Sequence, residues 1–199
     1  MSTVPGRLLT DPAWISARIG EMSRAWGTDA ARVGGTLWWC MVASALVDQV
    51  TRAYAAGAPA PVAALDDLDC EVRPDGGVEH VCFRSTGETA AVAAALRETL
   101  TAVIPQVAAV SGAGVPALWA VVADAIGNRA LDAGAGEAGT RLAAEVGGRL
   151  PAPRFVTVGA RTFVKRISCC LVYEVPSCQM CTSCPKRPAA ERAALLAEA

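Results

Sequence analysis

Five of the chain's eight cysteines fall between positions 169 and 184, and four of them, Cys169, Cys170, Cys181 and Cys184, spell C-C-x10-C-x2-C. Converging thiols in apolar surroundings do not persist as bare thiolates, because their charges repel and burial raises their pKa. Either an oxidant joins them or a metal does. Cys181-Thr182-Ser183-Cys184 is a knuckle in which one tight loop aims two sulfurs at one place, and Pro185 ends it as a proline ends bacterial ferredoxin runs. Cys169-Cys170 is the harder constraint. Adjacent side chains on a strand point to opposite faces, so a strand leading into this pair must end or twist by Ser168 if both sulfurs serve one site. The ten residues between the pairs suffice for an out-and-back excursion, with Pro176-Ser177 as its turn.

The rest of the chain says which kind of joining to expect. Its 199 residues are long enough for one sizeable core, and 53% of them are hydrophobic, which reads as globular. A net charge of −1 argues against a nucleic-acid binder driven by bulk electrostatics. The first residues, Met-Ser-Thr-Val-Pro-Gly-Arg, lack the apolar stretch of a secretory signal. The longest apolar runs, 37–47 and 115–123, fall short of the about 20 residues that span a bilayer. The expectation is a soluble, cytoplasmic protein with no membrane span. Cytosol keeps thiols reduced, so clustered cysteines there read as metal ligands or redox groups ahead of structural disulfides.

The fold class reads as mostly α (α+β). Residues 11–26 and 28–56 have helical patterns, the first capped by Asp11 with Pro12 in its first turn, the second ended by Gly57, Pro59 and Pro61. Residues 55–63 read as a linker. Leu68, Cys70 and Val72 alternate with charged residues, and Pro74-Asp75-Gly76-Gly77 turns the chain into a second strand over 78–83, a hairpin spanning about 66–84. Ser85-Thr86-Gly87-Glu88 reads as a capping box for a helix to about 110, kinked at Pro105. Helices follow near 116–131 and 137–149, then β-like stretches at 155–158 and 162–167, and a closing helix at 189–198. The domain reading is a helical body with the hairpin over 1–160 and a cysteine-rich segment over 161–199.

Zinc and iron–sulfur clusters both accept four cysteines. Zinc usually takes two C-x2-4-C knuckles, and here one pair is vicinal. A cluster spans a wider sulfur polyhedron and splits an adjacent pair more easily. The stretch 154–187 holds six basic residues (Arg154, Arg161, Lys165, Arg166, Lys186, Arg187) and one acid, Glu174, against 12 basic and 18 acidic elsewhere. Such cations suit an anionic cluster, stabilise its reduced form and raise its potential. Cys178 makes an overlapping C-x2-C with Cys181, so spacing leaves it open as a ligand; it ranks below the other four.

At these residues the chain resembles the FhuF-like ferric-siderophore reductases. Lys165-Arg166-Ile167-Ser168-Cys169-Cys170 and Cys181-Thr182-Ser183-Cys184-Pro185 carry the likeness, over about residues 161–187. The resemblance implies that Cys169, Cys170, Cys181 and Cys184 ligate a [2Fe–2S] cluster. It also implies a cytoplasmic one-electron reduction of Fe(III) in an imported siderophore, commonly a hydroxamate, fed by an electron donor not identified. Reduction loosens the chelate because hard Fe(III) is held by charged oxygens more tightly than Fe(II). Arg161, Lys165 and Arg166 are candidates to face the cluster or the substrate. Two competing readings stay open: an iron–sulfur carrier or sensor with no ferric substrate, and a structural zinc protein.

Other signals count for less. Gly134-x-Gly136-x-x-Gly139 follows a helical pattern and not a strand, so it reads as an interhelix loop. His80 reads as a rim residue of the hairpin, Cys70 and Cys82 as buried free thiols, and Cys40 as packing within the second helix. Of Trp14, Trp26, Trp38, Trp39 and Trp119, most read as core, with one or two available to line a chelate pocket. With one histidine, hydrolytic triads are restricted to His80.

Overall fold

Asp11 opens the first helix as its position implies: its carboxylate accepts the backbone N–H groups of Ala13 (2.8 Å) and Trp14 (3.1 Å). The computed structural model describes residues 1–176 and 178–198. In chain order these form β1 (Ser2–Pro5), α1 (Pro12–Trp26), α2 (Ala31–Ala55), β2 (Ala60–Pro61), β3 (Leu68–Val72) and β4 (Val78–Phe83). Then come β5 (Thr86–Gly87), α3 (Thr89–Ser111), α4 (Val115–Asp132), α5 (Gly136–Val146), β6 (Phe155–Val158), β7 (Arg161–Val164) and α6 (Ala189–Glu198). The mostly helical class with a small β component is therefore what the chain adopts. No single helix among the described residues is long and apolar enough to cross a membrane.

The centre of the molecule is α2, which packs on α1, α3, α4 and β4. It is apolar nearly all round, as a core helix must be: Val33, Trp38, Trp39, Val42, Leu46, Val47 and Val50 are fully buried. Two tryptophans tie its neighbours to it. Trp38 donates its indole N–H to the Gly76 carbonyl in the hairpin turn (3.0 Å), and Trp39 donates to the Leu118 carbonyl of α4 (2.9 Å). At Gly35 a Cβ would run into the Ser111 side chain, so glycine is what lets α2 and the end of α3 approach. Trp119 is buried and Trp26 is 40% exposed.

The β3–β4 hairpin forms where the turn chemistry put it, antiparallel from Leu68↔Phe83. The sequence reading missed β1, which adds to β3 from Ser2↔Val72 to Pro5↔Asp69. Four expectations need correction. Ser85–Glu88 is not a capping box: Thr86 and Gly87 pair with Ala60 and Pro61, the helix starts at Thr89, and Ser85 donates instead to Asp67 (3.0 Å). That pairing also turns part of the expected linker at 55–63 into strand. Cys82 is exposed, because it and Cys70 point to opposite faces of the hairpin; Cys70 alone is buried. The β-like stretch at 162–167 ends at Val164, which frees the backbone before the vicinal cysteines. α3 runs on through Pro105, and Gly134 sits with positive φ in the α4–α5 loop.

Candidate metal centre

A buried aspartate in α4 organises the approach to the vicinal cysteines. Asp124, 2% exposed, accepts the backbone N–H of Ile167 (3.0 Å), the backbone N–H of Ser168 (2.9 Å) and the Ser168 hydroxyl (2.6 Å). Its carboxylate also lies 3.6 Å from Arg166 Nε. Three residues after Ser168, Leu171 takes a left-handed conformation (φ 63°) while buried. A non-glycine residue there stores strain of order 1–2 kcal/mol. That turn re-aims the chain so that the Leu171 N–H points back to the Cys169 sulfur and the Val172 N–H to the Cys170 sulfur. The strand constraint on adjacent cysteines is met by leaving the strand early and bending sharply.

The knuckle is fastened from the other side. Arg187 donates to the Cys181 carbonyl (3.0 Å) and to the Met180 carbonyl, and pairs with Glu191 in the first turn of α6. Arg192 of α6 donates to the Cys184 carbonyl (3.3 Å). Between pair and knuckle, Leu171 and Val175 join the hydrophobic core and Arg32 of α2 meets Glu174 at 2.7 Å. Ser177, half of the expected Pro176-Ser177 turn, lies outside the described residues.

The sulfurs meet as two cross-pairs, each with one member from the vicinal pair and one from the knuckle. Cys169 Sγ and Cys184 Sγ are 3.9 Å apart, and Cys170 hydrogen-bonds Cys181. Tetrahedral ligation with metal–sulfur bonds of about 2.3 Å puts two sulfurs on one ion roughly 3.8 Å apart, so the first pair already has the spacing of a shared metal. Among the described residues, no group of three or more His, Cys, Asp or Glu side chains is gathered for a single ion. Each cross-pair would supply two of the four thiolates that a metal cluster takes.

Electrostatics favour thiolate at Cys170. The Cys170 thiol is pulled down to about 5 by its hydrogen bond with Cys181, against burial and with help from the Val172 N–H and Arg166. Cys181 is pushed up by the same hydrogen bond and by burial, so this pair shares one proton. Burial raises Cys169, and the Leu171 N–H opposes it. Arg166 Nη1 is 3.6 Å from Cys181 Sγ. Burial works to lower the Arg166 pKa, but Cys170, Cys40, Cys181 and Asp124 outweigh it and hold the guanidinium firmly charged.

Of the three candidate cations, Arg166 reaches the sulfurs. Arg161 lies over the Phe163 ring at 5.1 Å, and Lys165 is exposed, its backbone N–H bonded to the Arg154 carbonyl. Cys178 packs against the hydrophobic core. Two residues escaped the sequence reading. Asp124 is the lone charge in the apolar run 117–126, which was a usable signal. Cys40 of α2 sits in the electrostatic field of Arg166, Cys170, Asp124 and Cys169, and burial above all pushes its thiol up to about 12. Helical packing hid that proximity.

The FhuF 2Fe-2S C-terminal domain model matches residues 166–186, which run from Arg166 through both cysteine pairs. This match indicates an iron–sulfur protein with a [2Fe–2S] cluster. The comparison with curated proteins finds no match. The donor set fits the cluster: four sulfurs in two pairs, backbone N–H groups on two of them, and a buried cation alongside.

Proposed function

We propose that the chain is a cytoplasmic ferric-siderophore reductase in which residues 161–199 hold the cluster and the body, 1–160, binds substrate. Cys169, Cys170, Cys181 and Cys184 are its ligands, and the bound cluster supplies one electron at a time. The substrate is iron(III) in a siderophore, which leaves as iron(II) after gaining that electron. The observation that carries this reading is the convergence of the four sulfurs against the Arg166 guanidinium.

The chain's own residues do the surrounding work. Asp124 and Leu171 aim the vicinal pair, Arg187 and Arg192 hold the knuckle loop, and Arg166 offsets negative charge at the sulfurs. Leu171, Val175 and the 1%-exposed Cys184 keep water from one side of the site. Low local dielectric makes the Arg166 charge count for more than a surface cation would.

The test is anaerobic. Protein reduced and freed of excess reductant is mixed with ferric hydroxamate and ferric carboxylate chelates, and the cluster's visible absorption is followed while a ferrous indicator reports product. Reoxidation matched mole for mole by iron(II) is the expected result. If no ferric chelate reoxidises the protein while an oxidised ferredoxin does, the chain is a carrier or sensor and the reductase reading falls.

A further inference from the structure

The β6–β7 hairpin has two unlike faces. Its register sets Phe155 opposite Val164, Val156 opposite Phe163, Thr157 opposite Thr162 and Val158 opposite Arg161. Side chains alternate along each strand and opposed residues share a face. Phe155 and Val164 therefore fall on one face, and both lie against Gly127 of α4, with Val164 buried. Val156, Val158, Arg161 and Phe163 fall on the other. The Lys165 N–H bonded to the Arg154 carbonyl carries the pairing one step past β7, which adds Arg154 and Lys165 to this second face.

This second face is cationic. Arg154, Arg161 and Lys165 are exposed, and Val156, Val158 and Phe163 are half-buried among them. Among the described residues none of the three cations forms an ion pair. Exposed cations on the β3–β4 hairpin differ: Arg73 meets Asp75 and Glu79, and Arg84 meets Asp69. Glu191 of α6, which packs beside β6, is already held by Arg187. Arg161 and Lys165 stand four residues apart on extended chain, roughly 13 Å, a reach that suits a protein surface better than one small chelate. Lys165 immediately precedes Arg166, whose guanidinium is 3.6 Å from Cys181 Sγ, so the face adjoins the sulfurs. The stretch 154–187 carries six basic residues and one acid, whereas the rest of the chain carries 12 basic and 18 acidic ones. That polarity turns this end of the molecule toward a negative partner.

We infer that this face docks the electron donor, and that the donor is an acidic one-electron carrier protein. The assignment rests on the cluster and not on the ferric substrate. Opposite charges steer the encounter and fix its orientation, while contributing less to the strength of the complex. Apolar residues inside a charged rim are the anatomy of a small, transient redox interface. In the docked pair the carrier is oxidised by one electron and the cluster is reduced by one; no bond is made or broken.

Calorimetric titration of the cluster-loaded chain with an oxidised, net-acidic ferredoxin reads docking apart from electron transfer, because neither oxidised partner reduces the other. Saturable binding that weakens as salt rises from about 0.01 M to about 0.5 M is expected, with no binding of a basic cytochrome c. The double variant Arg161→Glu, Lys165→Glu weakens the ferredoxin complex roughly tenfold or more, and Arg161→Gln, Lys165→Gln weakens it by a smaller factor. Arg24 and Arg149 are exposed on α1 and after α5; Arg24→Glu, Arg149→Glu makes the same change in net charge and alters affinity by less than about twofold. Circular dichroism and the visible spectrum check fold and cluster in each variant. Equal losses from the two reversed pairs, or no ferredoxin bound by the wild type at low salt, overturns the assignment. Capture by phosphatidylserine vesicles through Arg161 and Lys165, in place of ferredoxin, overturns it too. Ferredoxin binding with no ferric chelate ever reduced keeps this surface and removes the reductase reading. Ferric reduction without such binding keeps that reading and removes this surface.

Discussion

Cys169→Ser purified without oxygen comes out with its visible iron–sulfur absorption largely gone and its iron content reduced at least tenfold, whereas Cys178→Ser keeps most of both. The contrast follows from where the two sulfurs are. Cys169 Sγ is 3.9 Å from Cys184 Sγ and receives the Leu171 N–H, so its loss breaks one of two cross-pairs. A serine oxygen is harder, and in its neutral form a poorer ligand for iron. Cys178 is half-buried against the core and belongs to neither cross-pair, so its replacement leaves both in place. Iron analysis and the absorption spectrum of the two variants, prepared side by side, check the ranking. Retention of the cluster by Cys169→Ser with loss in Cys178→Ser would mean that the chain uses the overlapping knuckle.

The second large effect comes from a residue with no sulfur. Asp124→Ala strips three hydrogen bonds from the 167–168 backbone and hydroxyl and leaves the Arg166 guanidinium without its carboxylate. Breaking one partner of a buried charged network costs about 3–5 kcal/mol, a large share of a domain's net stability. Denaturant midpoints fall accordingly, and cluster content falls with them because the vicinal pair is no longer aimed. Where Asp124→Asn retains the cluster, its reduction potential rises, since a negative charge near an anionic centre has gone; Arg166→Gln lowers it for the opposite reason. Shifts of opposite sign mark an electrostatic role that loss of structure alone does not produce. Stability within about 1 kcal/mol of wild type in Asp124→Ala would contradict this assignment.

What the sequence revealed and what it hid divide along physical lines. The cysteine pattern was legible because ligand chemistry tolerates few alternatives at such spacing, and the hairpin because Pro74-Asp75-Gly76-Gly77 permits little but a turn. Helices α1, α4 and α6 were legible from caps and periodicity within a residue or two. The capping motif at Ser85 failed because strand pairing with Ala60 and Pro61 took the same backbone groups. β1 was too short to show alternation. The cross-pairing of the sulfurs depends on the left-handed turn at Leu171, a residue type that gives no local hint of it. Cys40 came close to the sulfurs through the packing of α2 against α4 and the tail, a relation between segments more than 80 residues apart in sequence.

The central claim is that the tail's four cysteines hold a [2Fe–2S] cluster. Its most direct measurement is the iron, zinc and acid-labile sulfide content of the wild-type chain purified under argon, with its visible spectrum. Brown protein with iron and labile sulfide in equimolar amounts and little zinc is the result expected. Colourless protein carrying stoichiometric zinc and no sulfide would contradict the claim and make the tail a structural zinc site.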